Sequence, residues 1–366
     1  MARRLRSGYT TGACAAAATK AAIMLLVEGT APGSVDIPFP DGSRHTFVVH
    51  RSGSDMDGFC FASVIKDAGD DPDVTNGAEI VAAIRFCGES QVEDNCISLE
   101  EGMILLCGGE GVGRATKPGL AVQPGEPAIN PVPRQMIGAA VLEGLVESAT
   151  KKKVQVTISV PRGGELAEKT LNRRLGILGG LSILGTTGIV RPVSADAWTA
   201  TIKASLDVAR EAGLQDVVLS TGRTSEKGAQ ELLSLPEEAY AMMGDYLEFS
   251  LLEAARRGFA RIHLAGMWAK IMKAALRIPQ THVRHGALEV ADGAALFGRL
   301  GAEPELVERL RTANTAREMY EVLDGEERGD LIRAVCLAAR EYGEKVTGRE
   351  VRVYLVDSRA RVVEHA

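Results

Sequence analysis

The chain has 366 residues, of which 45% are apolar and 25% are charged, as expected of a globular protein with one or two domains. Its 48 acidic residues outnumber its 42 basic residues, which excludes a generally basic nucleic-acid binder but leaves room for a local basic pocket. Aromatic residues make up only 4%, which disfavours a base-stacking surface, and no apolar run reaches the roughly 18 residues that cross a membrane.

The first half of the chain, residues 1–195, predicts an α+β domain. An alanine-rich helix is expected over residues 13–27, because alanine is the best helix former and Gly29 follows as a stop signal. A second helix is expected over residues 137–147. The predicted strands are spaced too irregularly for repeated βαβ units. They cover residues 35–39, 45–50, 58–65, 78–86, 103–107 and 154–160.

The second half, residues 196–366, predicts a Rossmann-like α/β domain. Strands at 216–220 and 261–264 are each followed by a glycine turn and a helix, which is typical of a doubly wound sheet. A last strand is expected at 351–356. The predicted helices cover residues 202–212, 228–235, 244–257, 267–276, 303–311, 315–323 and 330–342.

A predicted strand ends in a glycine-rich segment, residues 108–113, here called the glycine loop. Glycine permits positive φ and lets backbone N–H groups approach a ligand, such as a nucleotide phosphate or S-adenosylmethionine. A phosphate-binding P-loop is rejected, because Arg114 and Ala115 stand where that motif needs Lys and Ser or Thr. A plain glycine turn is the competing interpretation.

Four carboxylates fall within residues 67–73, here called the acidic loop. Such a cluster suits a hard cation or a ligand rich in hydrogen-bond donors. The EF-hand pattern fails, because no glutamate closes the loop at its twelfth position. The alternative is an Asp-Pro-Asp turn whose carboxylates face water.

Two Thr-Thr-Gly segments, 10–12 and 186–188, offer hydroxyl and N–H groups to an anion, although plain capping of a helix is the commoner use. Basic side chains lie in or beside glycine-rich turns, where an arginine fork suits a carboxylate or a phosphate. For any single one a solvated surface position is the alternative. They are Arg114, Lys117, Arg173, Arg174, Arg191, Arg223 and Lys227.

Other chemistries find little support. The cysteines show no close zinc-type pair, and His282 and His285 lack the acidic partner of a metalloprotease. We therefore expect no metal bound by the polypeptide. The six irregularly spaced cysteines predict free thiols in a reducing compartment, and the basic start lacks the apolar core of a secretory signal. A cytoplasmic protein is expected.

Several segments, in the family's order, resemble the CbiD family of cobalamin biosynthesis. They are residues 6–17, 69–77, 109–113 with 117–120, 128–134 and 172–188. The resemblance covers about residues 6–290 and is weak beyond them. Two turns depart from the family pattern: residues 266–270 lack a further glycine before Lys270, and residues 220–223 lack an asparagine.

The resemblance implies methyl transfer from S-adenosylmethionine to C1 of cobalt-precorrin-5B, in the anaerobic route to cobalamin. This in-line displacement mainly needs alignment and exclusion of water, so no general base is specified. The residues expected to bind the methyl donor are Asp70, Asp71, Asp73, Gly109, Gly111, Gly113, Thr221 and Gly222. Those expected to bind the carboxylate-rich macrocycle are Thr10, Thr11, Arg114, Lys117, Arg173, Arg174, Arg191 and Arg223.

Leu175, Ile177, Leu178 and Leu181 are expected to pack on the face of the macrocycle. Two other functions stay open: an ATP-dependent small-molecule kinase that uses the glycine loop, and a non-catalytic carrier of corrinoid intermediates. The partner expected is a cobalt-tetrapyrrole, with no nucleic acid and no membrane. The oligomeric state, a homo-oligomer included, stays open.

Overall fold

The computed structural model describes residues 5–88, 95–146, 152–281 and 289–366. The chain divides into two compact units, Met1–Ser194 and Ala195–Ala366. Helices and sheets occur in both units, which confirms the mixed α/β class. The Rossmann-like description of the second unit stays a prediction.

The first unit is built around a mixed six-stranded sheet, and its described strands also form three two-stranded ladders. Its strands are β1 (Gly8–Tyr9), β2 (Ser34–Pro38), β3 (Arg44–Val48), β4 (Arg51–Ser54), β5 (Cys60–Ile65), β6 (Glu79–Phe86), β7 (Cys96–Leu99), β8 (Ile104–Gly108), β9 (Arg114–Ala115), β10 (Val154–Ser159), β11 (Ile177–Leu178) and β12 (Ile189–Val190). Its helices are α1 (Thr11–Glu28), α2 (Pro131–Val146) and α3 (Gly163–Ala167). The order in the large sheet is β4-β5-β6-β10-β8-β7, and the ladders are β1-β12, β2-β3 and β9-β11.

Helix α1 is the central core helix of the first unit. It begins after Thr10, whose hydroxyl accepts from the Ala13 N–H, and it ends at Gly29 in the left-handed conformation. Its small alanines permit close approach to the sheet and to α2, where a Cβ on Gly144 would lie 2.4 Å from Ile23. By length and composition α1 is apolar enough to cross a membrane, although Lys20 interrupts its run of apolar residues. However, 67% of this helix is buried inside the unit, as in a core helix.

The described residues of the second unit form four parallel strands and one antiparallel strand, in the order β14-β13-β15-β16-β17. Its strands are β13 (Asp216–Ser220), β14 (Tyr240–Met242), β15 (Arg261–Gly266), β16 (Glu350–Val356) and β17 (Val362–His365). Its helices are α4 (Ala195–Glu211), α5 (Arg223–Leu233), α6 (Leu247–Arg256), α7 (Trp268–Ala275), α8 (Val290–Arg299), α9 (Pro304–Arg311), α10 (Ala316–Gly325) and α11 (Gly329–Thr347).

The parallel strands are apolar on both faces. Leu219 and Leu264 point into the larger core, whereas Val218 and Ala265 point into a small cluster that includes Ala229 of α5. Continuous apolar runs are typical of strands that are covered on both sides. Because a short apolar run carries a weak signal, β14 and β17 were not predicted, and α8 was also missed.

One cysteine prediction is wrong. Cys96 on β7 and Cys107 on β8 form a disulfide between directly opposed residues of the antiparallel pair. A separation of 11 residues can be bridged by loops of many shapes. The spacing alone therefore does not predict that these two cysteines lie opposite each other. The remaining cysteines are thiols outside any disulfide, as expected: Cys14, Cys60, Cys87 and Cys336.

Candidate active site

Two of the predicted loops lie at the same edge of the six-stranded sheet. Strands β5 and β10 are each antiparallel to β6, and β8 is parallel to β10, so β5, β10 and β8 run in the same direction. The acidic loop follows β5 and the glycine loop lies at the end of β8, so both lie at the edge where these strands end, here called the loop edge. Strands β5 and β8 are three strand spacings apart, about 14 Å.

The two Thr-Thr-Gly segments lie against each other. The N–H of Thr10 donates to the carbonyl of Gly188 over 3.0 Å. The Thr11 hydroxyl accepts from the Leu184 N–H at 2.9 Å and lies 3.2 Å from the Leu184 carbonyl. The Thr10 hydroxyl accepts from the Ala13 N–H at 3.1 Å. Both hydroxyls therefore make contacts within the protein, which supports the capping interpretation; their binding of substrate stays a prediction.

The glycine loop packs tightly against neighbouring backbone. The N–H of Gly109 donates to Ile158 and that of Gly113 to Leu181, each over 2.8 Å. Gly111 has φ of +69°, and a Cβ there would lie 2.0 Å from the Val160 carbonyl oxygen. These glycines therefore allow the glycine loop to pack closely against two other chain segments, around Val160 and around Leu181.

Part of the glycine loop can still face a ligand. Within the described residues, the N–H groups of Glu110 and Gly111 have no acceptor. A ligand carboxylate at the loop edge can therefore use these two donors, but not the N–H groups of Gly109 and Gly113.

The acidic loop is held by donors from the protein. The Arg6 guanidinium pairs with Asp67 and lowers the pKa of that carboxyl to about 2. Asp70 Oδ2 accepts from the Arg6 N–H at 2.7 Å, and Asp71 Oδ1 accepts from the Val193 N–H at 2.9 Å. The second oxygens of Asp70 and Asp71 have no donor within the part of the chain that the structure describes. These two oxygens can accept from a ligand.

Asp73 differs from its neighbours, because it faces inward. Its Oδ2 accepts from the Lys66 ammonium at 2.7 Å, and the lysine side chain is only 1% exposed. Lys66 was not predicted as a site residue, because a lysine at a strand end ordinarily faces water. Asp73 is therefore a supporting group of the loop in this structure; its contact with the methyl donor stays a prediction.

Four predicted cations lie near the β9-β11 ladder, which pairs Arg114 with Leu178. Arg114 Nε donates to the Gly125 carbonyl at 2.6 Å, and Lys117 Nζ donates to the Arg174 carbonyl at 3.3 Å. Arg173 lies on the adjoining turn and is exposed, with no side-chain partner among the described residues. Arg191, which follows β12, is likewise exposed and without a described side-chain partner. Among the predicted cations of the first unit, these two arginines have the guanidinium groups most available to an anionic ligand.

The predicted apolar contacts need correction. Ile177 pairs with Ala115 in the β9-β11 ladder and Leu181 packs in the core of the first unit, so both are buried, and Leu175 is half-buried. Leu178 and Leu184 are each 48% exposed. The apolar face offered to a ligand is thus Leu178 and Leu184; Leu184 was not predicted.

Thr221 and Gly222 lie between β13 and α5 in the second unit, and Arg223 is the first residue of α5. The Thr221 N–H donates to the Ala265 carbonyl at 3.0 Å. A Cβ on Gly222 would meet no atom within 4 Å, so its surroundings are open, and Arg223 is exposed. Their roles toward the methyl donor and the macrocycle stay predictions. Residues 266–270 are one of the two segments that depart from the family pattern. There the Lys270 ammonium contacts Asp245 and donates to the Thr281 carbonyl.

The loop edge fits S-adenosylmethionine in its chemistry. The unshared oxygens of Asp70 and Asp71 suit an ammonium group and ribose hydroxyls, and the N–H groups of Glu110 and Gly111 suit a carboxylate. Within the described residues, no three His, Cys, Asp or Glu side chains converge as metal ligands, and His282 and His285 lie outside those residues. The absence of a protein-bound metal stays a prediction.

Comparison with known proteins identifies the family. The CbiD family model matches residues 1–192, and the model of the CbiD C-terminal domain matches residues 280–365. The chain belongs to the CbiD family. The prediction that the resemblance is weak beyond residue 290 is wrong, because the second model reaches residue 365.

Relatives named cobalt-precorrin-5B C(1)-methyltransferase span nearly the whole chain. The protein of Desulfotalea psychrophila is 62% identical, over 99% of this chain and 98% of its own length. That of Geobacter metallireducens is 46% identical over 93% of each chain. A crystal structure of a cobalamin biosynthesis protein (cbiD) from Archaeoglobus fulgidus is 28% identical, covering 73% of this chain and 78% of that one, with a TM-score of 0.40.

Proposed function

We propose that this chain is a cobalt-precorrin-5B C(1)-methyltransferase with S-adenosylmethionine as methyl donor. The observation that carries the proposal is the 62% identity to a relative of that name over 99% of the chain. We further propose a cytoplasmic enzyme whose partner is the cobalt-tetrapyrrole, without nucleic acid or membrane.

The methyl donor is placed at the loop edge of the first unit. Asp70 and Asp71 would accept from its ammonium group and ribose hydroxyls, and the N–H groups of Glu110 and Gly111 would donate to its carboxylate. Hydrogen bonds to charged groups are stronger than neutral ones, so these few contacts are enough to orient the donor. The donor supplies an electrophilic methyl group on a sulfonium.

The macrocycle is placed beside exposed cations and leucines of the same unit. Arg173 and Arg191 would bind peripheral carboxylates, because both guanidinium groups are exposed. Leu178 and Leu184 would cover part of the ring face, since each is half exposed. With both ligands bound, these residues fix the attacking carbon in line with the methyl group and exclude water, which lowers the entropic cost of the reaction.

The test is anaerobic incubation of the purified full-length chain with cobalt-precorrin-5B and S-adenosylmethionine that carries a ¹³C-labelled methyl group. We expect S-adenosylhomocysteine and a product labelled at C1 in NMR spectra. Substrate binding without label transfer would favour the carrier function. Binding of ATP in place of S-adenosylhomocysteine in calorimetry would favour the kinase.

A further inference from the structure

Lys66 occupies a position that lysines rarely take. It directly follows β5, and its side chain is 1% exposed. The Nζ atom donates to Asp73 Oδ2 at 2.7 Å. Lysine is almost never fully buried unless it is paired, so this ion pair is the condition for its place in the core.

The same carboxylate closes the end of the acidic loop. Asp73 Oδ1 accepts from the Thr75 N–H at 2.7 Å and from the Thr75 hydroxyl at 2.6 Å. One residue further, Asn76 Oδ1 accepts from the Ala68 N–H at 2.9 Å. The Lys66–Asp73 pair therefore lies beneath a loop whose two ends are joined by side-chain hydrogen bonds.

The Asp73 carboxylate keeps its charge. Burial raises the pKa of the Asp73 carboxyl, but hydrogen bonds from Lys66 and Thr75 outweigh burial and leave the pKa below its ordinary value. The carboxylate therefore stays ionised at neutral pH. Such a pair is costly to desolvate, and apolar residues of similar volume often give equal or greater stability. The benefit of the Lys66–Asp73 pair is then geometric, because the pair fixes the acidic loop in a single conformation.

We propose that Lys66 is a positioning residue for the methyl donor: through Asp73 it holds the acidic loop so that the unshared oxygens of Asp70 and Asp71 face the ligand. The inference rests on the proposed function. Lys66 itself touches no ligand, because its side chain is buried. Asp71 and Asp70 lie two and three residues before Asp73, so a shift of Asp73 moves both carboxylates relative to the N–H groups of Val193 and Arg6 that also hold them.

The test compares binding of S-adenosylhomocysteine in calorimetry. The double variant Lys66→Met with Asp73→Leu replaces the ion pair by apolar side chains. We expect its midpoint temperature of thermal unfolding to equal that of the unmodified chain. We expect its affinity to fall about 10-fold to 100-fold, as for the loss of a hydrogen bond to a charged group. The milder variant Thr75→Val removes one hydroxyl contact to Asp73 and is expected to weaken binding several-fold.

The matched control is another buried ion pair. Arg257 and Glu253 pair in the second unit with side chains 16% and 7% exposed. Arg257→Met with Glu253→Leu is expected to change stability without changing S-adenosylhomocysteine affinity.

Steady-state kinetics separate positioning from stability. A displaced loop raises KM for S-adenosylmethionine, whereas partial unfolding lowers kcat at constant KM. If Thr75→Val and the folded double variant both keep wild-type affinity and KM, the positioning role is refuted. If the unmodified chain binds no S-adenosylhomocysteine, the proposed function fails first, and this inference with it.

Discussion

Replacing Gly111 by alanine tests whether the glycine loop is required for folding. Gly111 has φ of +69°, and a Cβ there would lie 2.0 Å from the Val160 carbonyl oxygen, closer than the 3.0 Å that real contacts respect. The two segments would have to separate by about 1 Å in close-packed surroundings. That movement would strain two hydrogen bonds, from the Leu181 N–H to the Gly111 carbonyl and from the Val160 N–H to the Glu110 carbonyl.

The cost can be estimated from these parts. Alanine in the left-handed conformation costs about 1–2 kcal/mol, and overpacking typically costs about 1–3 kcal/mol. Weakening one buried hydrogen bond adds roughly 1 kcal/mol. We therefore expect Gly111→Ala to lower the free energy of unfolding by about 3–6 kcal/mol, a large part of the total for an ordinary domain.

Gly179→Ala is the matched control. Gly179 has φ of +84°, but a Cβ there would meet no atom within 4 Å. Only the conformational cost remains, about 1–2 kcal/mol. The difference between the two variants isolates the close approach of the backbone from the left-handed conformation.

The assay is urea unfolding of the full chain, followed by circular dichroism and by tryptophan fluorescence. Both tryptophans, Trp198 and Trp268, belong to the second unit, so their fluorescence is an internal control that we expect to change little. The circular dichroism transition of Gly111→Ala should move to lower urea than that of Gly179→Ala. Equal shifts in the two variants would refute the packing role of Gly111.

Three other predictions follow from the structure. Arg173→Ala and Arg191→Ala should each raise KM for the macrocycle about 10-fold to 100-fold without changing S-adenosylhomocysteine affinity; unchanged KM in both folded variants would remove the macrocycle from this surface. The unreduced, denatured chain should show four reactive thiols, because Cys96 and Cys107 are bonded; six would contradict the disulfide. Burial lowers the pKa of His263 below its ordinary 6.5, against the opposing effect of Asp216, so its contribution to stability is present above pH 6.5 and is lost as the pH falls from 6.5 through the lower pKa of the folded state. Urea unfolding at pH 7.5 and 5.5 should therefore show a smaller pH difference in His263→Gln, and an equal difference would contradict this.

Local signals predicted much of the fold. Alanine content and the Gly29 stop signal predicted α1 to within two residues at its start and one at its end. Helix α2 begins six residues before the predicted start, because Pro131 and Pro133 occupy its first turn, where proline is tolerated. Helix propensity, stop signals and proline positions depend only on residues that are close in sequence. They can therefore be recognised without knowledge of the fold.

The roles of the site residues depended on partners far away in sequence. The sequence marked the glycine loop, but not that the N–H of Gly113 donates to Leu181. It marked Asp73, but not the buried Lys66 beneath it. A glycine that admits a ligand and a glycine that admits a neighbouring backbone look identical in sequence, since both need only the absence of a Cβ.

The pairing of β1 with β12 has a consequence for synthesis of the chain. Gly8 pairs with Val190, so the first strand has no strand to pair with until the ribosome has added more than 180 further residues, although the Tyr9 N–H can bond to the Asp67 carbonyl earlier. At about 5–20 residues per second this takes roughly 10–40 s. During that time the apolar helix α1 also waits for α2, against which it packs in the finished unit. The nascent chain is therefore expected to need protection from aggregation, and a fragment that stops before residue 189 should leave its own N-terminal strand unpaired.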